Sequence, residues 1–319
     1  MKPLVFMVAL LLTACSSIKP MSGRAVLCAD DWVSYDSKTM PWKSWPVPDS
    51  VTTKGVVIAV HGLSGAKSDF WYLGDQLPKR GYAVYAYDLR GQGNDPVVEE
   101  RGDISGEKVW QRDLATFHAL VKRRHPKKPV FWYGESLGSL IALHTAADLL
   151  GNRSDPQAII LASPVAGLRQ TISGFQRFLL ETAAKLSPRS RYTLGELAGV
   201  DESKIKVTSH STHGGQMAVT PHHVSAFSLR LLTTIGAMLD ENAAAVHRLK
   251  MPVLFVASPN DVMSSADQIQ SLFAEVRSRD KKLLWYTRSY HLLLHDVQRD
   301  EVVNDVTKWL DRKVRARQP

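Results

Sequence analysis

A serine stands between two glycines in Gly134-Glu-Ser136-Leu-Gly138, directly after the bulky run Val130 to Tyr133. A serine hydroxyl is a poor nucleophile until a base takes its proton, and the base needs an acid to orient it. Two later positions meet that need. Asp261 follows the apolar run "VLFVAS", and His291 follows "LLWYTRS". Each closes a strand-like segment and opens a loop. Their order is serine, acid, histidine, as for a serine mounted on a strand-to-helix turn. Such a set performs acyl transfer through a covalent acyl-serine.

That reaction builds an oxyanion, which needs two donors. The amide of Leu137, next to the nucleophile, is one. The amide of Leu63, in the loop "HGLSG", is assigned as the other. His61 precedes the serine, outside the expected order, and is read as structural. His295 is expected in the following helix, facing away from His291 or packing under it. Asp267 is expected in a helix beyond the acid loop. His210, His213, His222 and His223 match no metal-ligand spacing, so no metal site is assigned and they are read as loop histidines.

The elements that must carry these residues alternate. Val56 to Val60, "YAVYAY", "PVFWYGES" and "AIILASP" read as strands buried on both faces. The segments after them read as helices. Residues 107–124 carry Val109, Leu114, Phe117 and Val121 at helical spacing, and Gly151 reads as a helix C-cap. This predicts an α/β fold with a mostly parallel sheet between helices. The alternation lapses over residues 165–249 and resumes at "MPVLFVASPND". The lapse predicts a helical cap inserted after the sixth strand, with core at 35–164 and 250–319. Trp42 and Trp45 suit a short hairpin at the start of the domain or a membrane-interface patch.

The 319 residues are 44% hydrophobic and 22% charged, which excludes a disordered chain. The net charge of +9 admits an anionic partner such as lipid, or simply a basic surface. No basic run is interleaved with aromatics, so no nucleic-acid partner is assigned. The basic residues Arg312, Lys313, Arg315 and Arg317 read as a solvated helix end.

"MKPLVFMVALLLTACSS" has one lysine and an apolar run from Leu4 to Leu12, too short to span a bilayer. Its Leu12-Thr-Ala-Cys15 resembles the lipobox of bacterial lipoproteins. The resemblance implies a signal peptide at 1–14, acyl chains on Cys15 and a tether over 15–34. With Ser16 following, it implies a lipid-anchored place in the bacterial envelope, at the outer membrane. Cys28 is then left without an intrachain partner.

"HGLSG", "YDLRGQG", "YGESLGS", "PNDVMSS" and "SYHLLLHD" together resemble the monoacylglycerol lipase and lysophospholipase-like group of the α/β-hydrolase superfamily, over about residues 35–312. The resemblance implies a triad of Ser136, Asp261 and His291, a lid, no metal and no organic cofactor. Glu135 stands where the family often has histidine, and Ser139 where it has a second glycine. Glu135 tunes the pocket's potential or pairs with a neighbour; the sequence leaves both open.

The expected activity is hydrolysis of a lipid monoester, a monoacylglycerol or lysophospholipid. The cap's nine Lys/Arg against six Asp/Glu favour a neutral or anionic substrate. An acyltransferase with the same triad, a short-chain carboxylesterase and a non-catalytic envelope lipoprotein are the alternatives.

Overall fold

Gly55–Val60 is buried at every position, because helices cover both faces of its strand. The computed structural model describes residues 24–150, 155–169, 173–198 and 201–316. Its strands are β1 Val26–Leu27, β2 Asp31–Val33, β3 Thr39–Trp45, β4 Gly55–Val60, β5 Tyr82–Tyr87, β6 Val130–Glu135, β7 Ala158–Ala162, β8 Arg191–Tyr192, β9 Phe227–Ser228, β10 Val253–Ala257 and β11 Lys281–Trp285. Nine form one sheet in the order β1-β2-β3-β5-β4-β6-β7-β10-β11, while β8 and β9 make a separate ribbon. Pairing is parallel from β5 through β4, β6, β7 and β10 to β11. It is antiparallel from β1 to β5.

The α-helices are α1 Trp71–Gln76, α2 Glu107–Arg124, α3 Leu137–Thr145, α4 Gly174–Leu186, α5 Leu194–Ala198, α6 His213–Ala218, α7 Leu229–Asp240, α8 Asn242–Arg248, α9 Ala266–Glu275 and α10 Arg299–Arg315. Successive residues of a strand face opposite sides. Val56, Ile58 and Val60 pack with Trp110, Leu114 and Phe117 of α2 and Leu140 of α3. Val57 and Ala59 pack with Leu73 of α1 and with Val302, Val306 and Trp309 of α10. The parallel strands therefore all end on one rim, where loops can gather.

Two expectations need correction. Residues 26–33 are not a tether: they form β1 and β2 of the sheet. The cause is Trp32, which is fully buried with its ring 5.3 Å from Tyr87 and 5.1 Å from Phe117. With β1 counted, the inserted segment follows the seventh strand rather than the sixth. It holds α4 to α8 and the β8–β9 ribbon. Trp42 lies on β3, stacked on Tyr85 at 5.7 Å, as part of the β2–β3 hairpin. Residues 1–14, Cys15, Gly151 and Arg317 lie outside the described residues.

Candidate active site

β6 ends at Glu135 and α3 begins at Leu137, so Ser136 alone makes the turn, at φ 53° and ψ −119°. That conformation costs a residue with a side chain on the order of 1–3 kcal/mol. Close packing holds it there. A methyl group on Gly134 would stand 2.3 Å from the Gly138 carbonyl oxygen, and one on Gly138 would stand 1.9 Å from that of Val60. Only bare glycines let strand and helix meet so tightly. Ser139 fits because its hydroxyl donates back to the Ser136 carbonyl at 2.7 Å.

His291 Nε2 lies 3.0 Å from Ser136 Oγ, and His291 Nδ1 lies 2.8 Å from Asp261 Oδ2. The structure thus brings the three predicted side chains into one hydrogen-bonded chain. Asp261 Oδ1 accepts from the amides of Met263 at 2.7 Å and Ser264 at 3.3 Å, so its carboxylate cannot turn away. Burial raises the Asp261 pKa, but the charge and hydrogen bond of His291, together with the amides of Met263 and Ser264, outweigh it and hold the carboxyl below its ordinary range. Burial equally disfavours the charged His291 ring. The Asp261 charge and bond, with the charge of Glu135, outweigh that and hold the imidazole above its ordinary 6.5.

Leu137 begins α3, so its amide is one of the free N-terminal donors of that helix. The loop of Leu63 lies against the nucleophile: a methyl on Gly62 would stand 3.1 Å from Ser136 Cβ. His61 is bound at both ring nitrogens, to the Gly62 carbonyl at 2.8 Å and the Leu89 amide at 2.9 Å. An acceptor nitrogen at Nε2 leaves the proton on Nδ1, so the ring is a neutral strut of this loop. His295 lies in a short turn, Leu293–His295, rather than in α10. It bonds to the backbone of Asp69, and burial lowers its pKa. Asp267 is exposed on α9, away from this chain of contacts. The cap histidines divide among separate partners: His213 with Glu202, His222 with Asp69, His223 with Ser64.

Glu135 is buried, and its Oε2 has no hydrogen-bond partner among the described residues. Burial, then the nearby charge of Asp69, pushes its carboxyl up to about 7, against the pull of His291. It acts on the site through charge rather than through a bond. His291 is a base only when neutral, so kcat/KM should fall on the acid side near its raised pKa. Ionised Glu135 favours the imidazolium. The Glu135→Gln variant should therefore move the acid limb of the kcat/KM profile to lower pH; a limb that stays put, or moves up, removes Glu135 from this role.

Sequence reasoning missed Asp296. It is buried and accepts from the amides of Tyr290 at 2.8 Å, Val297 at 2.8 Å and Ser209 at 3.0 Å. An acid just ahead of a helical stretch was the available signal.

Fold and site together define a class, the serine hydrolases that cleave carboxylic esters as lipases and esterases do. The chain belongs to the hydrolase family described as serine aminopeptidase, S33, whose model matches residues 51–298. It is 24% identical over 266 residues to the monoacylglycerol lipase of Mycolicibacterium smegmatis, covering 81% of this chain and 88% of that one. It is 24% identical over 271 residues to a carboxylesterase of Bacillus subtilis, covering 83% and 97%. A soluble variant of the monoglyceride lipase of Saccharomyces cerevisiae, solved with a substrate analogue, superposes with a TM-score of 0.73 at 19% identity. That match covers 93% of this chain and 98% of the other. The fold is the α/β-hydrolase fold.

Proposed function

We propose that the protein hydrolyses a monoester of a fatty acid, a monoacylglycerol or lysophospholipid, through an acyl-enzyme on Ser136. His291 takes the hydroxyl proton as Ser136 Oγ attacks the ester carbon. The amides of Leu63 and Leu137 hold the oxyanion. Collapse expels the alcohol, which receives the proton from His291. Water, deprotonated by the same imidazole, then releases the fatty acid. The observation that carries this reading is the Asp261–His291–Ser136 chain of bonds, at 2.8 and 3.0 Å.

Helix α4 supports the lipid part of the reading. Phe175, Phe178 and Leu186 are 70%, 62% and 83% exposed, and Leu179 joins them at helical spacing. Lys185 lies in the last turn of the same helix. An exposed apolar stripe of this kind suits an amphiphile whose tail is apolar. The lipobox-like pattern ending at Cys15 supports the same setting, an enzyme tethered to the bacterial outer membrane. A peptide substrate is less well served, since an α-amine needs a free carboxylate. Asp261 is held by His291, Asp69 by His222 and the Ala66 amide, and Glu135 is buried.

The test is a substrate panel with purified protein: medium-chain p-nitrophenyl esters, monoacylglycerol and lysophosphatidylcholine. Turnover that vanishes in Ser136→Ala is expected for at least one lipid; its absence from all of them ends the lipid reading. Replacing Phe175 and Phe178 by serine should slow hydrolysis of aggregated monoester several-fold more than that of a dissolved short-chain ester. Equal slowing of both would detach α4 from substrate capture.

A further inference from the structure

The inserted segment grips the catalytic loops, and it does so away from α4. One grip falls on the loop that carries Leu63. His222 Nε2 lies 3.1 Å from Asp69 Oδ1, and the other oxygen of that carboxylate accepts from the Ala66 amide at 2.8 Å. His223 Nδ1 lies 2.8 Å from Ser64 Oγ, which also accepts from the Val224 amide at 2.7 Å. Ser64 adopts φ 60°, a left-handed conformation adjoining Leu63. A strained residue of this kind persists only where its surroundings hold it.

A second grip falls on the loop of His291. The Leu292 amide donates to the Val207 carbonyl at 2.9 Å. Asp296 binds the Tyr290 amide with one oxygen, and the same carboxylate takes the amide and hydroxyl of Ser209. The residues on both sides of His291 are therefore tied to Val207–Ser209 of the cap. The acid loop is tied as well, since the Arg169 amide donates to the Met263 carbonyl at 2.7 Å.

We propose that cap residues 207–224 form a brace that positions the oxyanion amide and the catalytic histidine, with His222, His223 and Asp296 as positioning residues. None of the three touches the reacting atoms. They act through Ser64, Asp69 and the backbone of Tyr290. The covering segment is in this way part of the machinery. Opening at residues 222–224 would loosen the loop of Leu63. The inference rests on the acyl-enzyme reading above.

The experiment compares two ligands that load the site differently. A medium-chain trifluoromethyl ketone adds to Ser136: Oγ bonds the carbonyl carbon, the carbonyl electron pair becomes an oxyanion, and the hydroxyl proton passes to His291. The product fatty acid binds without that adduct. In the double variant His222→Ala/His223→Ala, kcat and ketone affinity should each fall on the order of 10- to 100-fold, while fatty-acid affinity stays within about threefold. Asp296→Asn should do likewise. The double variant His222→Gln/His223→Gln keeps a donor toward Asp69 and an acceptor toward Ser64, and should recover most of the loss. Retained kcat, or equal weakening of ketone and fatty acid, overturns the brace. Should the alanine pair fail to fold, as read by its Tm, the glutamine pair and single His223→Ala carry the same comparison. Ser136→Ala is assayed alongside. If it is inactive while the cap variants match wild type, only the brace fails; if it is active, the acyl-enzyme reading fails.

Discussion

Ser136→Ala should lower kcat for any ester substrate by about a million-fold, the usual cost of removing a serine nucleophile. Labelling by a fluorophosphonate probe should stop altogether. The reason is local. The Ser136 hydroxyl is the oxygen within reach of His291 Nε2, at 3.0 Å. Leu137 and the Gly62 loop, which would hold the oxyanion, remain in place when it is deleted. Folding should survive, since Ser136 is only half-buried and its strained turn is enforced by the glycine contacts beneath it. Thermal unfolding and circular dichroism would confirm an intact chain. Equal labelling of wild type and variant would place the nucleophile elsewhere and remove the basis of the proposed function.

Asp261→Asn should lower kcat by about ten-thousand-fold while leaving the fold intact. Two amides decide how the new side chain sits. Met263 and Ser264 both donate to Oδ1, so the asparagine oxygen stays there and its amino group turns toward His291. That amino group donates to Nδ1, which forces the ring proton onto Nε2, facing Ser136. The imidazole can then no longer accept the serine proton. The lost charge has a second effect. Asp261 is the strongest influence holding His291 above its ordinary pKa, so the acid limb of kcat/KM should also move to lower pH. The two signatures must appear together in a pH-rate profile. Wild-type kcat with an unmoved acid limb would show that Asp261 does not orient the base.

Much of this arrangement was legible in the sequence because it is local. The apolar β-branched run of Val56–Val60 and the helical stripe of residues 107–124 report strand and helix through their periods. The glycines around Ser136 report a tight turn. Asp261 and His291 were found because each directly follows a strand-like run, and parallel strands must all end on one rim. Trp32 was missed because a three-residue strand carries almost no periodic signal. Its burial depends on Tyr87 and Phe117, both far along the chain.

Glu135, His222 and His223 show where sequence reasoning stops. Nothing in "GESLG" says whether its glutamate meets a cation or stands alone; that depends on Asp69 and His291, brought in by other elements. Nothing in "TPHHV" says that two histidines hold the loop of Leu63, since Ser64 and Asp69 lie more than a hundred positions away.

By itself, then, the amino-acid order determined the elements, their alternation and the three residue types at strand ends, because each is written in spacings of two to four positions. Tertiary structure decided which loops meet, what the buried glutamate feels and how the cap holds the catalytic loops. Those are properties of surfaces in contact, and the partners of each contact are chosen by the packing of the whole sheet and its helices rather than by any neighbouring residue.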